Sequence, residues 1–264
     1  MGKRDALIER FDRETERMGV RIRDADQMKV SENVFDDVTL LSLYRLVHKK
    51  KIQEIGPPIS TGKEANVFYG EGEEMSIAIK IYRIQSANFR SMSEYIIGDP
   101  PRFSSVKKSK KDLIFAWTKK EYSNLARAHD AGLRVPPLPI YFDRNILLME
   151  FMGKDEVAYP PQLRLVRLDD YQAVYDEITA AMKTLFNEAE LVHADLSEFN
   201  ILWDGEHPII IDIGQAVTPP NHPKAIAFLV RDIKNINRYF AKRCTIRDEE
   251  ELFRDIVGEH RMQI

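Results

Sequence analysis

Residues 191–214 read LVHADLSEFNILWDGEHPIIIDIG, in which two short apolar runs, ILW and PIII, flank Asp204-Gly205. An Asp-Gly pair between apolar runs specifies a tight hairpin, so the end of the second run must return beside the start of the first. Asp195 and Asn200 share the turn that leads into this hairpin and can face one cleft, while Asp212 comes back beside Asn200 on the neighbouring strand. A carboxylate, a carboxamide and a second carboxylate therefore converge, which makes one metal site feasible. His193, offset from Asp195, reads as a structural donor that braces the turn and receives no catalytic role.

At 264 residues and 44% hydrophobic content the chain can fill the core of one large domain or two lobes. No window approaches about eighteen uninterrupted apolar residues, and the charged N-terminus MGKRDALIERFDRE lacks the apolar centre of a signal peptide. A soluble, cytoplasmic protein is expected. A single cysteine, Cys244, excludes an intrachain disulfide, and six scattered histidines argue against structural zinc. With net charge −3 the chain has no global field for nucleic acid, so any such contact must be local.

Residues 1–30 are charged with sparse apolar positions, as in an amphipathic or mobile segment. From Val34 onward, Asp36 and Asp37 precede Leu40, Leu41, Leu43, Tyr44, Leu46 and Val47 at helical spacing, with HKKK at the end, which predicts a packed helix. NVFYG and SIAIKIYRI predict two strands joined through Gly72. Residues 84–111, with few periodic apolar positions and the run KKSKK, predict a long mobile loop. A helix over 112–129, two strands around Asp143-Arg144, a helix over 169–190, the hairpin, and helices near 224–242 and 248–257 complete the expected order.

Four polar groups stand where the local pattern favours something else: Lys80 in an apolar strand, Glu121 midway along the inserted helix, Asp195 with Asn200, and Asp212 inside IIIDIG. Buried charge is costly unless paired or bound to a cation. Around a nucleotide the four satisfy one another. Lys80 can bind the α and β phosphates and pair with Glu121, Asn200 and Asp212 can hold a divalent metal, and Asp195 can accept a proton from the attacking group or orient it. Taken singly, Lys80 could equally snorkel from an edge strand, Glu121 could be a solvated face residue, and Asp195 and Asn200 could simply cap a turn. The set, rather than any member, points to phosphoryl transfer.

HADLSEFN and DIG resemble the catalytic loop and metal-binding motif of protein kinases, and IAIK resembles the strand that carries the phosphate lysine. STGKEANV is similar to the nucleotide-loop signature of the RIO family of atypical serine protein kinases, and VFDDVTLLSLYRLV before it resembles the type 1 branch in its archaeal form. The resemblance covers roughly residues 32–257. It implies an α+β, two-lobed protein-kinase-like fold, trimmed of its activation segment and with extra N-terminal helices. The implied parts are an N-terminal helical segment (1–50), an N-lobe of sheet plus inserted helix (51–148), a hinge (149–153) and a helical C-lobe (154–264).

The departures from ordinary kinases are also informative. No G-x-G-x-x-G precedes Lys80; Ser60, Thr61, Gly62, Lys63, Glu64, Ala65 and Asn66 form the turn over the phosphates instead, as the resemblance implies. TGK is not a Walker loop, since Pro57 replaces its first glycine and Glu64 its magnesium-binding hydroxyl. After Gly214 the chain reaches NHPKAIAFLVRD without A-P-E. Backbone groups of Glu150 and Met152 in MEFMG are implied for the adenine edge, with Met149 at the back of the pocket.

The implied cofactors are ATP with Mg2+ or Mn2+. The implied activity is serine/threonine protein kinase chemistry with autophosphorylation, an ATPase cycle in small ribosomal subunit maturation, or both, with Asp212 as a transient phospho-acceptor. Ser109 in KKSKK is the candidate autophosphorylation site among several loop serines, and HKKK (48–51) and KKSKK (107–111) are candidate contacts to ribosomal RNA or a pre-small-subunit particle. Two alternatives stand beside a protein kinase. One is a small-molecule phosphotransferase, which also carries H-x-D-x4-N; the other is a ribosome-assembly ATPase switch with no substrate protein.

Overall fold

A computed structural model describes residues 21–22, 36–84, 89–97, 109–135, 139–154, 157–158 and 160–258. The chain divides into two compact units: residues 1–89, 107–122 and 138–158 form the first, and 90–106, 123–137 and 159–264 the second.

The first unit holds a six-stranded sheet and helix α1 (Asp37–His48). Asp36 caps α1, its carboxylate accepting from the Thr39 amide at 2.9 Å. Leu40, Leu43, Leu46 and Val47 recur at helical spacing and form the buried stripe of α1. The strands are β1 (Arg21–Ile22), β2 (Glu54–Thr61), β3 (Ala65–Glu71), β4 (Ser76–Tyr82), β5 (Pro139–Asp143) and β6 (Ile146–Glu150), in the order β1-β2-β3-β4-β6-β5. β1 pairs parallel with β2, and the remaining pairs are antiparallel. Two two-residue strands, β7 (Gly153–Lys154) and β8 (Val157–Ala158), pair with each other.

Strand alternation gives this sheet two different faces. Ile77, Ile79 and Ile81 of β4 join the α1 stripe, Ile55, Phe68, Ile146 and Leu148 in one core. Each such side chain contributes about 1.5–3 kcal/mol of burial. Arg45 of α1 donates to Asp143 at 2.8 Å, and Asn145 donates to the Thr39 hydroxyl at 2.7 Å, which fixes α1 on the sheet. On the other face Ala78 packs with Tyr69 and Phe151, flanked by Ile59, Val67 and Met149. Lys80 and Tyr82 alternate onto that second face.

Strand β2 escapes the sequence pattern because Pro57 and Pro58 lie inside it. Its register with β3 shifts on both sides of Pro58, and the two-residue β1 covers only Glu54 and Ile55 of its outer edge. Prolines, which have no N–H to give a ladder, are tolerated at such a position.

The second unit is mainly helical, with α2 (Phe89–Ile97), α4 (Tyr171–Asn187), α5 (Ala225–Phe240) and α6 (Glu249–Val257). Helix α3 (Lys110–Asp130) contributes its residues up to Tyr122 to the first unit and the rest to the second. Asp170 and Asp248 cap α4 and α6 through their carboxylates. Tyr175 lies against Phe240 with ring centroids 5.4 Å apart and donates to Asn237 at 2.8 Å, while Asn187 donates to the Ile256 carbonyl at 2.8 Å. These contacts join α4, α5 and α6 around one core. The expected hairpin is present as β9 (Ile201–Trp203) and β10 (Pro208–Ile210). Gly205 takes a φ of +105° at its turn, and Asp204 accepts from the Glu206 and His207 amides at 2.9 and 2.7 Å.

The expectation of an uninterrupted loop over 84–111 is corrected by α2. Met92, Tyr95 and Ile96 provide the buried face of this short helix, and nine residues give too few repeats for periodicity to stand out. The first two lysines of KKSKK lie outside the described residues, and so does the segment 1–30 apart from β1. Among the described residues no helix is long and apolar enough to cross a membrane.

Candidate active site

In the first unit the ladder positions Lys80 opposite Val67 of β3 and Leu147 of β6, on a central strand rather than an edge. Its ammonium donates to Glu121 Oε1 at 2.7 Å, with both side chains almost fully buried. Tyr82, two residues along the same face, donates its hydroxyl to Glu121 Oε2, and its ring lies 5.2 Å from the Lys80 nitrogen. Two donors therefore fix the Glu121 carboxylate. Glu121 is neither a solvated face residue nor a casual partner.

Ser60 and Thr61 end β2, Gly62, Lys63 and Glu64 turn into β3, and all five are exposed, with Ala65 half-buried and Asn66 buried. The turn is tight. The Gly62 amide donates to the Ala65 carbonyl at 2.9 Å, and a Cβ on Gly62 would meet that same oxygen at 2.9 Å. Arg83 clamps the returning strand, donating through its amide to the Glu64 carbonyl and through its guanidinium to Asn66. Glu150 ends β6 opposite Ile77; the Phe151 amide then donates to the Ser76 carbonyl, and Met152 follows half-buried.

In the second unit Asn200 donates from Nδ2 to the Asp195 carbonyl at 2.8 Å and to Asp195 Oδ2 at 3.3 Å. Gln215 Nε2 donates to the same Oδ2 at 3.3 Å. Both amides therefore hold one carboxylate oxygen, and Oδ1 accepts no hydrogen bond among the described residues. Because the Asn200 amino group is occupied in this way, its carbonyl oxygen is turned away from Asp195. The Ile211 amide donates to the Asn200 carbonyl at 3.0 Å, which extends the hairpin register and brings Asp212 within one residue of Asn200's partner. Asp212 is exposed, with a left-handed backbone at φ 57°. His193 Nε2 donates to the Ile211 carbonyl at 3.0 Å, as befits a bracing residue. Burial lowers its pKa against the pull of that carbonyl and of Asp195 and Asp212, so the imidazole stays neutral.

Helix α5 supplies the parts that sequence reasoning missed. Asp232, buried, accepts from the Ala194 amide at 2.8 Å and the Leu196 amide at 2.9 Å, and Asn235 donates to the Leu196 carbonyl at 3.1 Å. Arg231 donates to the Ala194 carbonyl. From α3, Asn124 donates to the carbonyls of Ile213 and Ala216 at 2.9 and 3.0 Å. Ala194, at φ 68°, is a left-handed residue without glycine's freedom, and the clamp from α5 offsets that strain. A signal for Asp232 was available: it falls on the apolar stripe of Phe228, Leu229, Ile233, Ile236 and Phe240, where a carboxylate needs partners.

Burial pushes the Asp232 carboxyl up from the ordinary 3.8 to about 7, although the two amides and Arg231 pull it down. An acid whose pKa is raised by folding binds its proton more tightly in the native state, so its contribution is complete below 3.8 and is lost as pH rises through about 7. Asp232→Asn cannot titrate. The stability gap between wild type and this variant widens from pH 8 to pH 5, at about 1.4 kcal/mol per pH unit inside the window. His193 is the same in both proteins, so its contribution cancels from the difference. Urea midpoints at the two pH values measure the gap, and a constant gap would contradict the assignment.

Comparison with known proteins agrees with this architecture. The RIO domain family matches residues 66–252. The RIO-type serine/threonine-protein kinase Rio1 of Haloferax volcanii is 43% identical over 97% of this chain and 87% of its own length. The chain belongs to the RIO family. The Methanocaldococcus jannaschii Rio1 is 36% identical over 89% of this chain and 79% of its own length, so two archaeal Rio1 proteins match, as STGKEANV and the helix before it implied. The crystal structure of the Chaetomium thermophilum Rio2 kinase in an ADP/Mg2+-phosphoaspartate complex superposes with a TM-score of 0.63 at 23% identity, covering 83% of this chain and 66% of that one. It shows that this RIO-family chain has the α+β, two-lobed kinase-like fold. Residues 215–224 alone separate Gly214 from α5, which leaves no room for a long activation segment.

Proposed function

We propose that this RIO-family protein transfers the γ-phosphate of ATP to a serine or threonine hydroxyl, with Asp195 taking the hydroxyl proton. The observation that carries the reading is the pair of amides on Asp195 Oδ2, which orients the carboxylate and leaves Oδ1 to accept that proton. As the proton moves to Oδ1, the serine oxygen bonds to the γ-phosphorus and the bond to the β-phosphate oxygen breaks, releasing ADP. Lys80, held by Glu121 and Tyr82, binds the α and β phosphates, and residues 60–66 cover them. Glu150 and Met152 meet the adenine edge through their backbone. The names of the Rio1 relatives, both serine/threonine-protein kinases, support this assignment.

Asn200 and Asp212 would hold Mg2+ or Mn2+. Among the described residues there is no group of three or more His, Cys, Asp or Glu able to hold a metal by itself. One carboxamide oxygen and one carboxylate suit a hard cation that shares its coordination with phosphate oxygens and water. When bound, the ion neutralises charge on the transferring phosphate.

A second reading is favoured by the exposure of Asp212 and by the phosphoaspartate in the Rio2 complex. Here Asp212 accepts the phosphoryl group transiently, water releases it, and the cycle acts as an ATPase switch. The link to the small ribosomal subunit rests on the family resemblance. Lys49, Lys50, Lys110 and Lys111 are exposed and provide local positive charge for such a particle.

Ser109 is proposed as an autophosphorylation site. Its exposed hydroxyl donates to Asp112 at 2.6 Å and accepts from the Asp112 amide at 3.2 Å, so it caps helix α3. Incubation with ATP is expected to add one phosphate at Ser109 by mass spectrometry. Phosphate found solely on other residues would exclude it.

A further inference from the structure

Helix α2 lies in the insertion between β4 and α3 and packs on α5. Met92 and Ile96 are buried, and the Tyr95 ring lies 5.3 Å from that of Phe228. Lys224 Nζ donates to Glu94 at 2.6 Å, and His222 Nε2 lies 3.3 Å from the Glu94 carbonyl. One turn beyond Phe228, the Arg231 guanidinium stacks over the Phe228 ring at 4.9 Å. The Tyr95 side chain, packed on the same Phe228 ring, favours the charged form of this guanidinium, and Nη2 donates to the Ala194 carbonyl.

That carbonyl belongs to the peptide plane leading into Asp195. Holding its oxygen from Arg231, while Asp232 holds the Ala194 amide, fixes the left-handed residue from both sides and with it the direction in which the Asp195 side chain leaves the backbone. Asp232 is built into α5 alone. Arg231 also depends on a residue of the insertion, because Tyr95 packs on the Phe228 ring beneath its guanidinium and favours its charge. Burial acts against the Arg231 charge, but the Tyr95 hydroxyl, Asp232 and Asp195 outweigh it.

We propose that Tyr95 and Arg231 are positioning residues for Asp195, through which docking of α2 on α5 sets the phosphoryl-transfer site. The inference rests on the role given to Asp195 above. It makes the insertion a controlling element: a bound partner that lifts α2 from α5 would slow transfer while leaving the nucleotide-binding residues of the first unit unchanged.

The test uses the full chain with Tyr95→Phe, Arg231→Lys, Arg231→Met and the Tyr95→Phe/Arg231→Met double variant. Amide hydrogen exchange at residues 194–196 is read beside turnover with Mg-ATP, nucleotide affinity and melting temperature. Tyr95→Phe keeps the ring packing and removes one hydroxyl. Exchange at 194–196 is expected to quicken about tenfold, with amides of α4 and α6 unchanged. Turnover is expected to fall about tenfold to 100-fold at unchanged nucleotide affinity. Arg231→Met gives the full effect, Arg231→Lys an intermediate one, and the double variant no more than Arg231→Met. Unchanged exchange at 194–196 in Tyr95→Phe would overturn the proposal. A loss of turnover accompanied by equal losses in nucleotide affinity and melting temperature would overturn it too, because the pair would then be merely structural. A wild-type protein with no turnover would refute the catalytic reading separately, and the exchange data would still decide whether α2 holds the turn.

Discussion

Asp195→Asn is expected to slow phosphoryl transfer about 10²–10⁴-fold, the range for removing a positioned general base. The substitution is close to isosteric, and its outcome follows from the local hydrogen bonds. Asn200 and Gln215 both present N–H donors to the oxygen at Oδ2, so the new carboxamide turns its own carbonyl oxygen toward them. Its NH2 then occupies the Oδ1 position, where the incoming hydroxyl needs an acceptor. Nucleotide affinity and melting temperature stay near wild type, since the side chain is half-buried and the turn keeps its clamps from α5. Single-turnover rates and a nucleotide titration separate the two effects. A variant with wild-type transfer would remove Asp195 from the mechanism.

Lys80→Met is expected to destabilise the protein by about 3–5 kcal/mol, because it strands the Glu121 carboxylate in the interior. The Tyr82 hydroxyl does not replace an ammonium there, since it contributes one neutral donor. The double variant Lys80→Met/Glu121→Leu, which leaves neither charge of the pair, recovers most of that loss, so the two substitutions are strongly non-additive. Nucleotide affinity behaves differently. It falls in both proteins that carry Lys80→Met, because a thioether in place of the ammonium offers no cation to the phosphates. Urea unfolding and nucleotide binding on the wild type, the two single variants and the double variant read the two consequences apart. Additive stabilities would mean that the pair carries no coupling.

The residues that violate a local pattern are the ones legible in the sequence. Lys80 stands out because SIAIKIY is otherwise an apolar strand, and the Asp195, Asn200 and Asp212 set stands out because Asp204-Gly205 fixes a hairpin. Helix ends are legible wherever a capping aspartate precedes an apolar stripe, as at Asp36 and Asp170. Strand β2 is hidden by its two prolines and α2 by its shortness. Gln215, Asn124 and Arg231 are hidden for another reason. Each acts on a partner far away in sequence, and a polar residue on a helix or turn looks alike in sequence whether it meets solvent or a backbone carbonyl. Tyr82 passes as an ordinary strand aromatic until the face it shares with Lys80 is known.

Phosphoryl transfer from ATP to a hydroxyl through Asp195 is read out by γ-labelled ATP with magnesium or manganese. Label is followed in protein and in free phosphate for the wild type, Asp195→Asn and Asp212→Asn. Hydroxylamine-stable label on serine or threonine is expected in the wild type, with its loss in Asp195→Asn. Steady release of phosphate, with only hydroxylamine-sensitive label that disappears in Asp212→Asn, would contradict it and make the protein an ATPase switch acting through an acyl phosphate.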